Sequence, residues 1–340
     1  MKMHINERNN DFKEEMKIKT AKGYVSFAEI LENVYKPIGF TVEDFGNVIP
    51  KLRLHEQQSC NQIYSNWLNA SKTTIKPLDN IQVLLHNNYT LNGYISLSQC
   101  YFHNESYNNE KPNVDKIEAT NIWSQENIDG WVKEIKEGKY TERSDKQYTD
   151  SASVFYATKH YNIVGKKGAV IGSIKPWVES MCLANGASQI VTIDYQHIKI
   201  GHDSIMFLDA FDLVKAREIF FDSFDFIVSY SSIEHSGLGR YGDPINPMGD
   251  IMEMQKLRCI LKPRGIFFLG VPVGQDDVGY NCHRTYGRIR LPLMFAGFEL
   301  LNVFYLKSKP IEMEIKTFED DHNPLFNFTH FVFVLEKQSD

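Results

Sequence analysis

The chain has 340 residues, of which 42% are hydrophobic and 13% aromatic, and it carries a net charge of −6 at pH 7. This apolar content is enough for one large domain, or for a domain of about 190 residues with a smaller one beside it. The mildly acidic balance and the lack of a basic block argue against a nucleic-acid partner. No run of about 18 apolar residues occurs, so we expect no membrane span.

The cysteines and the N-terminus predict a cellular location. Five cysteines occur without CxxC spacing, and this odd number predicts reduced thiols rather than a disulfide framework or a zinc site. The polar N-terminus has no apolar segment of the kind found in a secretory signal. Together these features predict a cytoplasmic protein. Asn-x-Ser/Thr sequons stand at Asn69, Asn88, Asn104 and Asn327. Chance occurrence in an Asn-rich chain is favoured over glycosylation.

The first part of the chain predicts a small accessory region. Residues 1–17 are charged and are expected to be disordered. Apolar spacing within 24–45 predicts a short amphipathic helix. Residues 46–115 contain short alternating segments between Asn-rich turns and predict a β-rich or mixed element. A helix is expected over 121–137. We therefore predict an N-terminal accessory region of mixed structure over 18–149.

The stretch from Lys167 to Asp194 organises the second part, which we assign to an α/β domain over residues 150–340. Two apolar runs flank a helix-compatible segment, which is the pattern of a βαβ unit. Gly172 stands at the first turn, where the backbone can approach a ligand closely. Asp194 follows the second run, about 20 residues on, where an acid can bind ribose hydroxyls. The alternative is a purely structural unit, because a dinucleotide fingerprint would carry three glycines.

Helical and β-type patterns alternate to the end of the chain. The predicted strands are 204–208, 224–230, 266–271, 298–305 and 327–335, and the predicted helices are 151–161, 213–220, 250–261 and 286–296. Long loops over 231–249 and 272–285 follow the fourth and fifth strands. This alternation predicts an α/β fold with a doubly wound, mostly parallel, Rossmann-like sheet. Its ligands would bind at the carboxyl ends of the strands.

Several short segments carry a resemblance. They are Val170-Ile171-Gly172, Thr192-Ile193-Asp194, Leu208-Asp209-Ala210, the run 223–229 and the run 260–265. Their succession over about 150–336 resembles the class I S-adenosylmethionine-dependent methyltransferase fold. The pieces VIGSIKPWVE, SSIEHSGLGRYGDP, LGVPVG and NCHRTYGRIRLPL resemble, more narrowly, an uncharacterised methyltransferase-like family known only as a domain of unknown function.

The resemblance implies S-adenosylmethionine as cofactor and a C-terminal antiparallel strand pair. The implied cofactor contacts are Gly172 and Ser173 for the methionine part, Asp194 for the ribose, Asp209 and Ala210 for the adenine, and Ser229 for the sulfonium. The family usually shows an acid and a Gly-x-Gly-x-Gly loop at the first turn. Val170 and Ile174 stand here in place of the acid and the second glycine.

Methyl transfer needs an oriented nucleophile and, for a hydroxyl acceptor, usually a base. Glu234 and His235 follow the fourth strand, and histidine titrates near neutrality, so His235 is the first candidate base. His283, after the fifth strand, is the second. The alternative for His235 is a hydrogen bond to the loop backbone. His235, Asp243 and His283 share a rim but lack metal-ligand spacing, so we expect no metal.

Three residues of the same loops are candidates for binding the acceptor. Arg240 and Arg284 could grip an anionic group through bidentate hydrogen bonds, and Tyr241 could stack on a sugar or another ring. Each has a structural alternative. Arg240 could pair with Asp243, Arg284 could bridge the loops, and Tyr241 could belong to the core or the rim.

The sequence thus predicts an S-adenosylmethionine-dependent methyltransferase acting on a small-molecule or glycan hydroxyl. The alternative is a catalytically inactive methyltransferase-like module that binds a partner through its N-terminal region, and the single glycine at the first turn favours it. A Rossmann oxidoreductase is a third candidate, disfavoured by the absent GxGxxG motif. The pattern leaves the oligomeric state undefined.

Overall fold

The computed structural model describes residues 16–46, 48–72, 81, 83–99, 122–139, 150–320 and 329–338. Some predictions fall outside these ranges: disorder up to residue 15, and the sequons at Asn104 and Asn327. None of the helices within the described ranges is long and apolar enough to cross a membrane.

The N-terminal region is mixed, as expected. Its elements are β1 (Lys17–Thr20), β2 (Gly23–Ser26), α1 (Phe27–Ile30), a π-helical turn (Leu31–Tyr35), a 3-10 turn (Lys36–Ile38), β3 (Phe40–Asp44), β4 (Lys51–Leu54), α2 (Cys60–Lys72), α3 (Val83–Tyr89), β5 (Ser96–Gln99), β6 (Ile122–Ser124) and α4 (Gln125–Lys136). The helix predicted within 24–45 is shorter than expected. The Ser26 side chain accepts from Glu29 N and caps its start, so the preceding residues stay in a strand.

The α/β region follows with alternating elements. They are α5 (Ala152–His160), β7 (Lys167–Ile171), α6 (Trp177–Ala184), β8 (Gln189–Asp194), β9 (Lys199–Gly201), β10 (Ile205–Asp209), α7 (Ala210–Lys215), β11 (Phe224–Tyr230), α8 (Gly249–Ile260), β12 (Leu261–Val273), β13 (Asp277–Tyr280), β14 (His283–Thr285), α9 (Arg290–Met294), β15 (Phe298–Phe304) and β16 (Thr329–Lys337). The segment 272–285, predicted as a loop, contains β13 and β14. Their buried, weakly alternating residues give no strand signal.

The central sheet confirms the predicted fold class. Its order is β10-β8-β7-β11-β12-β16-β15, with β16 antiparallel to both of its neighbours and the pairs from β10 to β12 parallel. The five parallel strands follow the first part of a doubly wound order, whereas the antiparallel final pair differs from the dinucleotide-binding order. The central strands carry apolar side chains on both faces because helices cover both sides.

The N-terminal region shares a core with the sheet. Phe27 and Tyr64 belong to the same buried cluster as Ile227 of β11 and Leu269 of β12. Strand β5 pairs in parallel with β13, and Tyr89 Oη donates to the carbonyl of Gly237 at 2.9 Å. The N-terminal region therefore braces the loops at the carboxyl edge of the sheet. The division at residues 149 and 150 stays a prediction.

A disulfide corrects the expectation of reduced cysteines. Cys60 of α2 and Cys259 of α8 are bonded, with 5.7 Å between their Cα atoms, and Cys282 is also disulfide-bonded. Cys182 keeps a free, buried thiol. The bonded pair is 199 residues apart in sequence, so spacing could not reveal it. Because disulfides persist in oxidising compartments, cysteine usage no longer supports a cytoplasmic location.

The disulfide should contribute strongly to stability because it closes a long loop in the unfolded chain. Replacing both Cys60 and Cys259 by Ser should lower the free energy of unfolding by up to about 5 kcal/mol in the chain-entropy account. Denaturant unfolding followed by circular dichroism measures the change. Peptide mapping without reductant is the control. Recovery of both cysteines as separately alkylated peptides would contradict the bond.

Candidate functional site

The first turn of the βαβ unit is built around Gly172. Its φ is +70°, and its amide donates to the carbonyl of Ile193 at 3.0 Å. A Cβ added to Gly172 would lie 2.0 Å from Ser232 Oγ, in the loop that follows β11. Both the positive φ and this close approach require glycine here. The turn thus brings the ends of β7 and β11 into contact.

Asp194 closes the same turn from the end of β8. Its Oδ2 accepts from the amide of Ser173 and its Oδ1 from the amide of Gln196, both at 2.9 Å. Burial raises the pKa of the Asp194 carboxyl to about 6, and these backbone donors oppose the rise. The backbone of Tyr195 is a third donor to this carboxylate, so of about four acceptor positions one remains for a ribose hydroxyl.

Asp209 lies beside Asp194, since the two residues are paired in the parallel register of β10 and β8. Its Oδ1 accepts from the amides of Phe211 and Asp212 and caps α7, which begins at the buried Ala210. Both acids therefore stand next to each other at the carboxyl edge, as the resemblance implied.

Two further buried polar groups lie near this edge. Ser229, near the end of β11, is fully buried, and its Oγ has no hydrogen-bond partner among the described residues. Glu179 of α6 is also fully buried, and its Oε1 accepts from Thr192 Oγ at 2.9 Å. Burial raises the pKa of Glu179 to about 7. No pattern in the sequence indicated a buried Glu179, because a single acid on an apolar helix is usually exposed at the surface.

His235 and Glu234 meet in the loop after β11. The Nδ1 atom of His235 hydrogen-bonds to the carbonyl of Cys282, which assigns the proton of the neutral ring to Nδ1 and leaves Nε2 as an acceptor. Nε2 lies 3.8 Å from Glu234 Oε1. Burial lowers the pKa of His235 to about 3, aided by the charges of Arg240 and His283 and opposed by Glu234. His235 is therefore neutral at pH 7.

Behind this pair lies a second histidine that sequence analysis did not find. His330 of β16 is buried, with Nε2 3.8 Å from Glu234 Oε1 and Nδ1 3.7 Å from Asp150 Oδ2. The ring of Tyr230 stacks on His330 at 5.0 Å, and its hydroxyl donates to Asp150. Burial opposes protonation, but the two carboxylates raise the pKa of His330.

The carboxylate of Glu234 lies between the two imidazoles. Burial alone would raise the pKa of Glu234, but His235 and His330 outweigh it and lower the pKa to about 2. The result is a buried line of Asp150, His330, Glu234 and His235. These residues come from distant parts of the chain, so no sequence spacing could have indicated the line.

The remaining rim candidates gather around His235. The ring of Tyr241 lies 5.1 Å from the His235 ring, and that of His283 lies 6.3 Å away. Arg240 donates to the carbonyl of Cys282 at 2.9 Å and stacks on Tyr241 at 5.0 Å. Arg240 and Tyr241 are half-buried and lie beside the His235 ring.

Arg284 is placed differently from the other rim candidates. It is fully buried, and its guanidinium donates to the carbonyls of Glu234, Ser236 and Pro247. Asp250, which accepts two hydrogen bonds from Arg290, lies 3.7 Å away. Arg284 thus bridges the loops, as the structural alternative held, and it has no exposed side from which to bind an acceptor.

An aromatic cluster covers the ends of β8 and β10. Trp67 of α2 lies 6.4 Å from Tyr195, with the ring planes 20° apart, and 5.5 Å from Phe211. Tyr195 and Phe211 are themselves 5.6 Å apart. A cavity lined by Trp67, Tyr195, Gly237 and neighbouring residues measures about 10 Å³. That is about the space of one water, against roughly 300 Å³ or more for a typical ligand pocket.

A family model described as "Caenorhabditis protein of unknown function, DUF268" matches residues 165–338, which is just over half of the chain. The chain belongs to the DUF268 family. The DUF268 region contains all seven strands of the central sheet, and α2 with Trp67 lies outside it. This confirms the resemblance to a methyltransferase-like domain of unknown function. A comparison with curated proteins found no match.

Solved structures share the general fold. One is the Burkholderia thailandensis 1,6-didemethyltoxoflavin-N1-methyltransferase with bound S-adenosylhomocysteine, at 13% identity over 64% of this chain and 91% of that chain, with a TM-score of 0.39. Another is an S-adenosylmethionine dependent methyltransferase from Mesorhizobium loti, at 14% identity over 54% of this chain and 98% of that chain, with a TM-score of 0.34. Scores this low assign no activity and no residue to the DUF268 chain.

The site fits S-adenosylmethionine in chemistry but not in volume. Adjacent Asp194 and Asp209 suit the hydroxyls and the amino group of a nucleoside, and the orphaned Ser229 hydroxyl suits a polar ligand. The space such a ligand needs is filled by Ser232 against Gly172 and by Trp67 against Tyr195. A nucleoside could reach Asp194 and Asp209 here only if these side chains moved.

The two buried histidines should titrate in opposite senses. The pKa of His330 is raised above the usual histidine value of 6.5, so the ring is still mostly protonated at pH 6.5. The stabilisation that its charge gives the fold is complete below pH 6.5 and is lost as the pH rises through the raised pKa. His235 should remain neutral down to about pH 3. NMR of histidine-labelled protein, assigned with His235→Gln and His330→Gln, measures both. Titration of His235 near pH 6.5 would contradict this assignment.

Proposed function

We propose that the chain is an S-adenosylmethionine-dependent methyltransferase that acts on a hydroxyl of a small-molecule or glycan acceptor. The observation that carries the proposal is the pairing of Asp194 with Asp209 at the carboxyl edge of the sheet. A methyltransferase-like sheet with two adjacent acids at the ends of its second and third strands suits a nucleoside. The Glu234–His235 pair after the fourth strand adds a base.

The chain's own residues supply binding and orientation. The remaining acceptor position of Asp194 would take a ribose hydroxyl, and Asp209 keeps Oδ2 for an adenine amino group while Oδ1 caps α7. The buried hydroxyl of Ser229 borders the centre of the edge. When bound, the cofactor would supply an electrophilic methyl group.

His235 is proposed as the base that takes the acceptor's proton. Its Nε2 and Glu234 Oε1 are two acceptor atoms 3.8 Å apart, and a hydroxyl entering between them would donate to Nε2. Glu234 would then stabilise the imidazolium, since its carboxylate is ionised at pH 7. The half-buried Arg240 and Tyr241 lie beside the His235 ring and are proposed to contact the acceptor.

A second candidate is the catalytically inactive binding module. The observation that favours it is the filled cleft, with a cavity of about 10 Å³ and Ser232 placed against Gly172. In that case the DUF268 sheet would serve as a scaffold and the N-terminal region would contact the partner. Cofactor binding separates the two candidates.

Calorimetric titration of the full chain with S-adenosylhomocysteine tests the proposal. Asp194→Ala should weaken binding about tenfold or more, because it removes charge-assisted hydrogen bonds. Asp212→Ala is the matched control, since Asp212 is an exposed acid three residues beyond Asp209. Its affinity should equal that of the wild type. A folded wild-type protein that binds neither S-adenosylmethionine nor S-adenosylhomocysteine would remove the proposal and leave the inactive module.

A further inference from the structure

Helix α2 covers the part of the edge where a purine would lie. Tyr195 directly follows Asp194, and Phe211 follows Asp209 by two residues, so both rings flank the paired acids. An adenine whose amino group is bound by Asp209 would contact these rings, because aromatic faces stack on planar bases. Trp67 contacts the same two rings from α2.

The indole of Trp67 is placed as a bound purine base would be, stacked on an aromatic ring. It is a planar bicyclic ring, 4% exposed, and its plane is 20° from that of Tyr195. Lys256 Nζ lies 4.1 Å from the ring centre, so the indole also makes a cation–π contact. The adjoining cavity of about 10 Å³ leaves no room for a second ring system.

Three attachments hold the first two turns of α2. Cys60 is bonded to Cys259, Arg217 Nε donates to Asn61 Oδ1 at 2.9 Å, and Tyr64 Oη donates to the carbonyl of Lys256 at 3.1 Å. Trp67 stands seven residues beyond Cys60, which is about two turns or about 10 Å along the helix. The covalent tether thus holds the start of α2, while Trp67, a member of the main buried cluster, contacts Tyr195, Phe211 and Lys256.

We infer that Trp67 is an internal occupant of the purine subsite and that the Cys60–Cys259 disulfide keeps it there, so the site is autoinhibited. This inference rests on the proposed function. A nucleoside cofactor must displace the indole, and its apparent affinity falls by the fraction of molecules in which the subsite is open. Weakening the tether raises that fraction. The oxidation state of Cys60 and Cys259 therefore sets cofactor affinity.

Titration of the full chain with S-adenosylhomocysteine tests the inference. Trp67→Ala should bind about tenfold tighter than wild type, the gain expected for a site that is open about a tenth of the time. Trp131→Ala, which removes a half-buried tryptophan of the same region, is the control and should bind like wild type. Equal or weaker binding by Trp67→Ala, with the wild type binding, would overturn autoinhibition and leave the proposed function standing. Absence of binding in every variant would overturn both.

A second variant keeps Trp67 in place and changes only its tether. The paired change Cys60→Ser and Cys259→Ser should also tighten binding, and saturating S-adenosylhomocysteine should shift tryptophan emission to longer wavelength as the buried indole becomes exposed. The same shift should be absent in Trp67→Ala. Unchanged affinity in the cysteine variant together with unchanged emission in the wild type would overturn the inference.

Discussion

The parallel register of β10, β8, β7 and β11 is the constraint on which the site depends. It sets Asp209 beside Asp194 and brings Ser229 of β11 level with Ile171 of β7. These residues belong to four different strands. Because the carboxyl ends of parallel strands share one edge, the pairing alone assembles a polar surface next to Gly172. The loops beyond the strands then add the base and the rim.

Much of this arrangement could be predicted from the sequence, because it follows from local patterns. Apolar runs mark the parallel strands, and an acid at the end of a run marks the edge of the sheet. The strand predicted over 224–230 agrees with β11, and the βαβ unit formed as expected. Asp194 and Asp209 end their strands as the apolar runs predicted, and the register pairs them. The family match supports the same fold for 165–338.

What could not be predicted depends on contacts between distant segments. The bond between Cys60 and Cys259 spans 199 residues, and the interaction of Asp150 with His330 spans 180. Trp67 gives no signal of its own, since a tryptophan on an amphipathic helix is usually a core residue. The surroundings also shift the histidines in opposite directions: burial lowers the pKa of His235, whereas Asp150 and Glu234 raise the pKa of His330.

The cleft occupied by Trp67 and the buried line of ionisable residues are compatible with each other. A buried Asp150–His330–Glu234–His235 line is costly to maintain unless its charges are paired, and here each charge faces a partner. Helix α2 comes from outside the DUF268 region, and it contacts that region through the rings of Tyr195 and Phe211 and through the disulfide to Cys259. The proposed methyltransferase, with its purine subsite occupied by Trp67, would account for both features.

A crystal structure of the full chain grown with S-adenosylhomocysteine tests this account most directly. The account predicts the ribose at Asp194, the adenine against Tyr195 and Phe211, and the Trp67 indole moved off Tyr195. A structure in which saturating ligand leaves Trp67 stacked on Tyr195, or binds away from Asp194 and Asp209, would contradict it.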